Sequence, residues 1–407
     1  MKIIVPNFIL SPDQLLSNKA VAFDQVIYKI DTVDNLQKLY PDADVIHLAK
    51  NSLLMPGLIN AHVHIEFSKN KTELSYGDFI NWLYSVIENR EELINECDVL
   101  CMQEAIDAML QNGITTFGAI SSHAMDLEAC ANAKQNVVFF NELIGSQAGM
   151  ADALFGDFIA RLDASKHIQR EGFYPAVAIH SPYSVHPILI KKALEIVKNE
   201  ELKLTAHFME SEAEREWLDK SEGDFKEFFK KFLNQEHNLS DASEFLEHFN
   251  TTPTLLTHVV QSNKEELQTI KQANHTIIHC PISNRLLGNG ILNIKELNDH
   301  NIPWIIATDG LSSNYELNLF EEMKISLMNH ANAPLVPFAK QLINAATKNA
   351  AKALGLNTGE IKEGKNADMI VIDLESEPNE ELAVHLLLHR YNISKVFING
   401  KLELGSL

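Results

Sequence analysis

Beyond about residue 54 the chain alternates short apolar, β-branched runs with longer amphipathic stretches, a rhythm that predicts repeated βα units and a parallel sheet. Eight runs carry it: Leu54 to His62, Ile114 to Ile120, Asn136 to Leu143, Tyr174 to His180, Lys203 to His207, Thr254 to Val260, His275 to Cys280 and Ile302 to Asp309. An open doubly wound sheet usually stops at fewer strands, so the expected fold is a closed (β/α)8 barrel of the TIM type. The flanks lack this rhythm. Residues 1–53 read as short strands with turns, and so does the tail from Gly359 to Leu407, where Asp368-Met369-Ile370-Val371-Ile372-Asp373 follows a glycine turn. The two ends are expected to pair into a small β-sandwich, making 1–53 with 357–407 one composite unit and 54–356 the barrel. Residues 211–250 carry Phe225, Phe228, Phe229 and Phe232 among many charges and read as helices. They serve either as a cap over the site or as helices packed on the barrel.

Composition narrows the partners. With 407 residues and 45% apolar content the chain can bury a large core. Its formal charge of -21, from 34 basic against 55 acidic residues, opposes nucleic acid and anionic membranes by long-range repulsion, so a small-molecule substrate is expected. The N-terminal apolar run is too short for a signal peptide and no stretch is long enough to span a bilayer, which makes a cytoplasmic location the expectation. Cys97, Cys101, Cys130 and Cys280 show no C-x-x-C spacing and read as reduced structural thiols. A homodimer is compatible with a chain of this size, and no sequence feature identifies an interface.

In such barrels chemistry sits at the C-terminal ends of the strands. The first run ends in Pro56-Gly57-Leu58-Ile59-Asn60-Ala61-His62-Val63-His64, whose two imidazoles, two residues apart, share one face. The fifth ends in Thr205-Ala206-His207-Phe208-Met209-Glu210, the sixth in Leu256-Thr257-His258, and the eighth in Ala307-Thr308-Asp309-Gly310. Metal-capable groups thus gather at one rim. Neutral imidazoles with a carboxylate suit a borderline divalent ion, Zn2+ or Fe2+, and an incomplete protein shell leaves room for water, as a catalytic site requires.

PGLINAHVH, HFMES, the Leu-Thr-His of the sixth strand and ATDGLSSN resemble the amidohydrolase superfamily, specifically its deaminase and chlorohydrolase branch, and the resemblance spans essentially the whole chain. It implies that His62, His64, His207 and Asp309 hold one divalent ion, while Glu210, His258 and Asp309 handle protons. Binuclear members use a modified lysine on the fourth strand, but Ala176-Val177-Ala178-Ile179-His180 offers none, which points to a single ion. The ion would make water a usable nucleophile near neutral pH, His258 and Asp309 would orient it and take its proton, and Glu210 would pass a proton to a ring nitrogen.

Other polar strand ends are candidates for reading the substrate: Ser121-Ser122-His123, Glu142 to Ser146, His180-Ser181-Pro182-Tyr183-Ser184 and Ser283-Asn284-Arg285. Among them His180 is favoured by the resemblance, with Ser146 and Arg285 beside it; Trp82 and Phe79 could stack on an aromatic ligand. His279 reads either as a core histidine or as one that supports the ligands from behind, and is not assigned to the metal. HVHIEFS, HSPYSVHP and CPISNRLL resemble branch members that deaminate 6-amino-6-deoxyfutalosine in menaquinone biosynthesis, which implies a purine nucleoside with a benzoate arm. Arg285, Lys69, Lys71 or Arg90 could meet that carboxylate. The alternatives are an adenosine-, S-adenosylhomocysteine- or guanine-type deaminase, a triazine chlorohydrolase, or an inactive scaffold, which the intact ligand set argues against.

Overall fold

A computed structural model describes residues 1–11, 14–69, 74–89 and 97–406. Among these the N-terminal strands are β1 (Lys2–Val5), β2 (Phe8–Leu10), β3 (Leu15–Ser17), β4 (Ala20–Phe23), β5 (Ile27–Asp31), β6 (Asp44–His47) and β7 (Ser52–Pro56). Then come β8 (Leu58–Val63), β9 (Ile114–Ser121), β10 (Asn136–Leu143), β11 (Phe173–Ile179), β12 (Leu204–Phe208), β13 (Leu255–His258), β14 (Thr276–His279) and β15 (Trp304–Ile306). The tail adds β16 (Met369–Asp373), β17 (Asn392–Ile398) and β18 (Lys401–Leu404).

The flanking strands form a four-stranded sheet, β5-β4-β1-β6, and a six-stranded sheet, β18-β17-β16-β7-β2-β3, which joins the two ends of the chain. Ile4, Val21, Phe23, Leu54, Met369 and Phe397 fill the space between them, with the Phe23 and Phe397 rings edge to face at 5.5 Å. Two short helices, Val33–Leu39 and Leu382–Leu388, interrupt segments that the sequence presents as strands and turns only. The first apolar run also divides, because Leu54–Pro56 pairs with β16 in the sandwich and only Leu58 onward enters the barrel. Gly57 makes the crossing possible: a Cβ there would lie 2.2 Å from Thr115 Oγ1.

Strands β8 to β15 pair in parallel, each with its neighbour in the chain. Asn60 closes the seam between the first and last of them. Its Nδ2–H donates to Thr308 Oγ1 at 2.7 Å, its Oδ1 accepts the Thr308 N–H at 3.0 Å, and the Asp309 N–H reaches the His62 carbonyl at 3.1 Å. Asn60 is fully buried, so Asn60→Ala strands the Thr308 groups without water to replace it. The expected cost is ~2–4 kcal/mol, read as a lower denaturation midpoint with an unchanged m-value.

The barrel interior is lined by residues such as Ile59, Phe140, Ile278 and Ile305, and the helix Lys348–Leu354 adds Ala350, Ala351 and Leu354 to the same cluster. Residues 211–250 form the helices Glu212–Lys220, Asp224–Leu233 and Ala242–Glu247. Phe225 packs 4.7 Å from Tyr183 and 6.0 Å from Phe79, so this insertion braces the wall of the barrel mouth. The four cysteines are free; Cys101 lies 2.7 Å from Cys97 Sγ to Sγ, and burial with that neighbour pushes its thiol up to about 12, far from the range of a reactive thiolate. No helix among the described residues is long and apolar enough to cross a membrane.

Candidate active site

The ends of the barrel strands leave the sheet abruptly. Met209, His258 and Asp309 sit at φ of 50°, 73° and 58°, a left-handed conformation that L side chains rarely adopt and that the surrounding bonds must hold. At Met209 the holder is Glu214, whose carboxylate accepts the N–H of Met209 at 3.1 Å and of Glu210 at 2.7 Å. Ser211 caps the helix that carries Glu214 by accepting the Glu214 N–H. The turn therefore fixes Glu210 from behind.

One ring nitrogen from each of His62, His64 and His207 lies within 4.8 Å of the others. Asp309 Oδ1 stands 3.6 Å from His62 Nε2 and 3.5 Å from His64 Nε2. His207 Nδ1 is engaged with the His180 carbonyl at 2.9 Å, leaving Nε2 for the cluster. His62 Nε2 is buried with no hydrogen-bond partner, a costly arrangement unless a ligand completes it. Burial, aided for His207 by the other imidazoles, holds the His64 and His207 pKa values below the usual histidine range, so both stay neutral as metal ligation requires. Burial alone would raise the Asp309 carboxyl, but the adjacent His62, His64 and His258 outweigh it and keep Asp309 ionised. Neutral imidazoles around an ionised carboxylate fit a divalent cation.

Glu210 and His258 complete the rim. Glu210 is buried, and this burial together with the Asp309 and Glu214 carboxylates raises its pKa well above the carboxylate range, against the opposing Asn289 amide. Its surroundings thus favour the protonated carboxyl over the carboxylate. Its Oε1 lies 3.5 Å from His258 Nε2.

Around this cluster opens a cavity of about 470 Å³. Its floor holds His64, His207, Glu210, His258 and Asp309. One wall is polar, with Ser122, His123, Glu142, Arg161 and His180, and the other is apolar, with Phe79, Trp82, Leu83, Val86 and Ile87 from one face of the helix Phe79–Glu88. His180 Nδ1 is occupied by Ser184 Oγ at 2.6 Å and Ser181 Oγ at 3.0 Å, which leaves Nε2 for a ligand, and burial drops its pKa to about 4. Trp82 lines the cavity while its Nε1–H donates to the Ser312 carbonyl at 2.8 Å.

Other expected readers lie elsewhere. Arg285 is exposed and outside the cavity, because the helix Pro281–Leu286 turns Ser283 and Asn284 inward and the next side chain falls about 100° further round. Ser283 and Asn284 are themselves engaged with Asp309 and His258 rather than lining the cavity. Ser146 is buried but absent from the lining, since Gly145 at φ +155° breaks the strand alternation that brings Ile144 to the cavity. Lys69 is exposed and does not line the cavity, and Lys71 and Arg90 lie outside the described residues. His279 is buried away from the imidazole cluster, 6.1 Å from the His330 ring, and burial lowers its pKa to about 3.

Several contributors were not singled out from the sequence. Glu66 accepts the backbone N–H groups of Ser122, His123 and Met125 at 2.8 to 3.0 Å and so ties the first strand end to the second. Arg161 donates to the Ser121 and Glu142 carbonyls while paired with Asp157. Asn289 donates to Glu210 at 3.1 Å. The only sequence signal for Glu66 was its place two residues after His64.

Residues 53–402 match the amidohydrolase family. The chain is 52% identical to an aminodeoxyfutalosine deaminase of Nitratiruptor sp. over 403 residues, covering 98% of this chain and 99% of that protein. It is 34% identical to an adenosine deaminase of Helicobacter pylori, with 95% of each chain covered. The solved structure of Helicobacter pylori aminofutalosine deaminase in complex with methylthio-coformycin superposes with a TM-score of 0.93 at 33% identity, over 99% of this chain and 100% of that one.

Proposed function

From the premise that the chain belongs to the amidohydrolase family, we propose that it hydrolyses the 6-amino group of an adenine nucleoside, converting 6-amino-6-deoxyfutalosine to 6-deoxyfutalosine and ammonia. The observation that carries the reaction class is a buried Glu210 carboxyl facing the same cavity as His64, His207, His258 and Asp309, which opens around the three-imidazole cluster. The substrate follows the full-length relative at 52% identity.

His62, His64, His207 and Asp309 would hold one divalent ion, Zn2+ or Fe2+, both of which accept three imidazoles and a carboxylate. When bound it lowers the pKa of water enough to supply a nucleophile near neutral pH. Glu210 donates its proton to the ring nitrogen beside the amine-bearing carbon, making that carbon electrophilic. His258 Nε2, with Asp309, takes a proton from the attacking water. The Glu210 proton finishes on the ring nitrogen, one water proton goes to the departing amine, and the other, taken by His258, returns to Glu210 through water before the next turnover, so the products are a 6-oxo purine and NH3. His180 meets the nucleoside through Nε2, and Trp82 with the apolar helix face covers its aromatic parts. Those parts include a benzoate arm in this proposal. A cytoplasmic place in menaquinone biosynthesis belongs to the same proposal, consistent with four free thiols.

The test is ammonia release by the metal-loaded protein from 6-amino-6-deoxyfutalosine, adenosine, S-adenosylhomocysteine, guanine and a chlorotriazine. The first is expected to exceed the others in kcat/KM by at least about tenfold, the scale of a single well-made substrate contact. Preference for another purine would keep the reaction and discard this substrate. No turnover of any of them by metal-loaded protein would remove the deaminase reading.

A further inference from the structure

We propose that the seven residues Ser283–Asn289, which follow β14, form a positioning element that decides which atoms of Glu210 and His258 carry protons. The proposal rests on the roles given to those two groups above. Three side chains of this segment each grip one proton-handling group. Ser283 Oγ–H donates to Asp309 Oδ2 at 2.8 Å, Asn284 Oδ1 lies 2.9 Å from His258 Nδ1, and Asn289 Nδ2–H donates to Glu210 Oε1 at 3.1 Å. All three residues are buried, so water does not compete for these bonds.

The segment is itself held on several sides. Glu322, fully buried, accepts the Ile282 N–H at 3.0 Å at the start of the helix. The Asn289 N–H donates to the Asn284 carbonyl at 2.9 Å, and the Gln261 amide donates to the Asn289 carbonyl at 2.6 Å. A braced segment can hold its partners in one geometry.

Direction of donation then sorts the protons. An amide oxygen only accepts, so Asn284 selects the His258 tautomer with hydrogen on Nδ1 and leaves the Nε2 lone pair as the base. An amide nitrogen only donates, so Asn289 reserves Glu210 Oε1 as an acceptor and puts the acid proton on Oε2. Glu210 Oε1 and His258 Nε2 face each other at 3.5 Å as two acceptors. No proton can pass directly between them. The acid and the base are therefore kept from neutralising each other, and transfer runs through water or substrate.

Asn289→Asp is isosteric but sets an acceptor against Oε1, whereas Asn289→Ala merely removes the donor. With metal content and thermal midpoint at the wild-type level, Asn289→Asp is expected to lose about 100-fold in kcat and Asn289→Ala about tenfold, each with KM changed less than about threefold. Asn284→Asp keeps an acceptor for Nδ1 and is expected to stay within about tenfold of wild type, while Asn284→Leu loses about 100-fold. Equal losses in the two Asn289 variants, wild-type turnover in Asn289→Asp, or losses confined to KM would overturn the positioning role. If Asn289→Ala fails to fold, the isosteric aspartate variant still decides. Glu210→Gln serves as the control: if it remains active, the acid role itself fails, whatever the asparagine variants do.

Discussion

Glu210→Gln is expected to bind its divalent ion at the wild-type stoichiometry and to lose roughly 10³-fold in kcat, within the range that a positioned general acid supplies. The reasoning starts from the carboxyl's surroundings. Glu210 is buried and lies beside two other carboxylates, which raise its pKa well above the ordinary carboxylate range and favour the protonated form that a general acid requires. Glutamine has the same shape, and its Oε1 can still accept the Asn289 N–H, so fold and cavity persist. What it lacks is an acidic proton. Because the three clustered imidazoles and Asp309 are untouched, metal content is not expected to fall. Metal analysis beside an ammonia assay reads both quantities; full activity would remove Glu210 from proton transfer, and a parallel loss of metal would make it a ligand.

The barrel and the metal-capable rim were legible in the sequence for a simple reason. Buried parallel strands are apolar throughout, so each run stops visibly at a polar residue, and in this fold those stops are the rim. His62, His64, His207, His258 and Asp309 could be found that way. The division of the first run at Gly57 was not visible, because a buried sandwich strand and a buried barrel strand have the same apolar pattern and only the approach of Thr115 separates them. Side-chain direction was harder still. Ser283, Asn284 and Arg285 are consecutive polar residues, and the helical turn they occupy sends two inward and one to solvent. Asn289 reaches Glu210 from a residue 79 positions away, a contact that no local pattern encodes. The left-handed backbone at Met209, His258 and Asp309 had no glycine to announce it, since the strain is sustained by tertiary bonds such as those from Glu214.

Chelation of the divalent ion is expected to abolish ammonia release, with recovery on adding Zn2+ or Fe2+, and His207→Ala and Asp309→Asn are each expected to lower metal content and turnover together. His207 offers a single free nitrogen, since Nδ1 is spent on the His180 carbonyl, and alanine leaves nothing in its place. Asp309 contributes the negative charge: Ser283 and Ser313 each donate to Oδ2 at 2.8 Å and aim Oδ1 at His62 and His64. Asparagine preserves the volume but removes that charge. Mutating groups that only orient ligands typically costs 10- to 100-fold in metal affinity, so loss of this carboxylate is expected to cost at least about 100-fold. The ion also binds only the folded chain, so at 100 times its Kd it stabilises the fold by about 2.7 kcal/mol. Removing it should lower the thermal midpoint of wild type and leave His207→Ala nearly unchanged. A chelated wild-type protein that keeps both its activity and its melting temperature would show that the imidazole cluster does not hold a functional metal. If Asp309→Asn retained metal but lost turnover, Asp309 would serve only in proton handling, leaving His62, His64 and His207 to hold the ion.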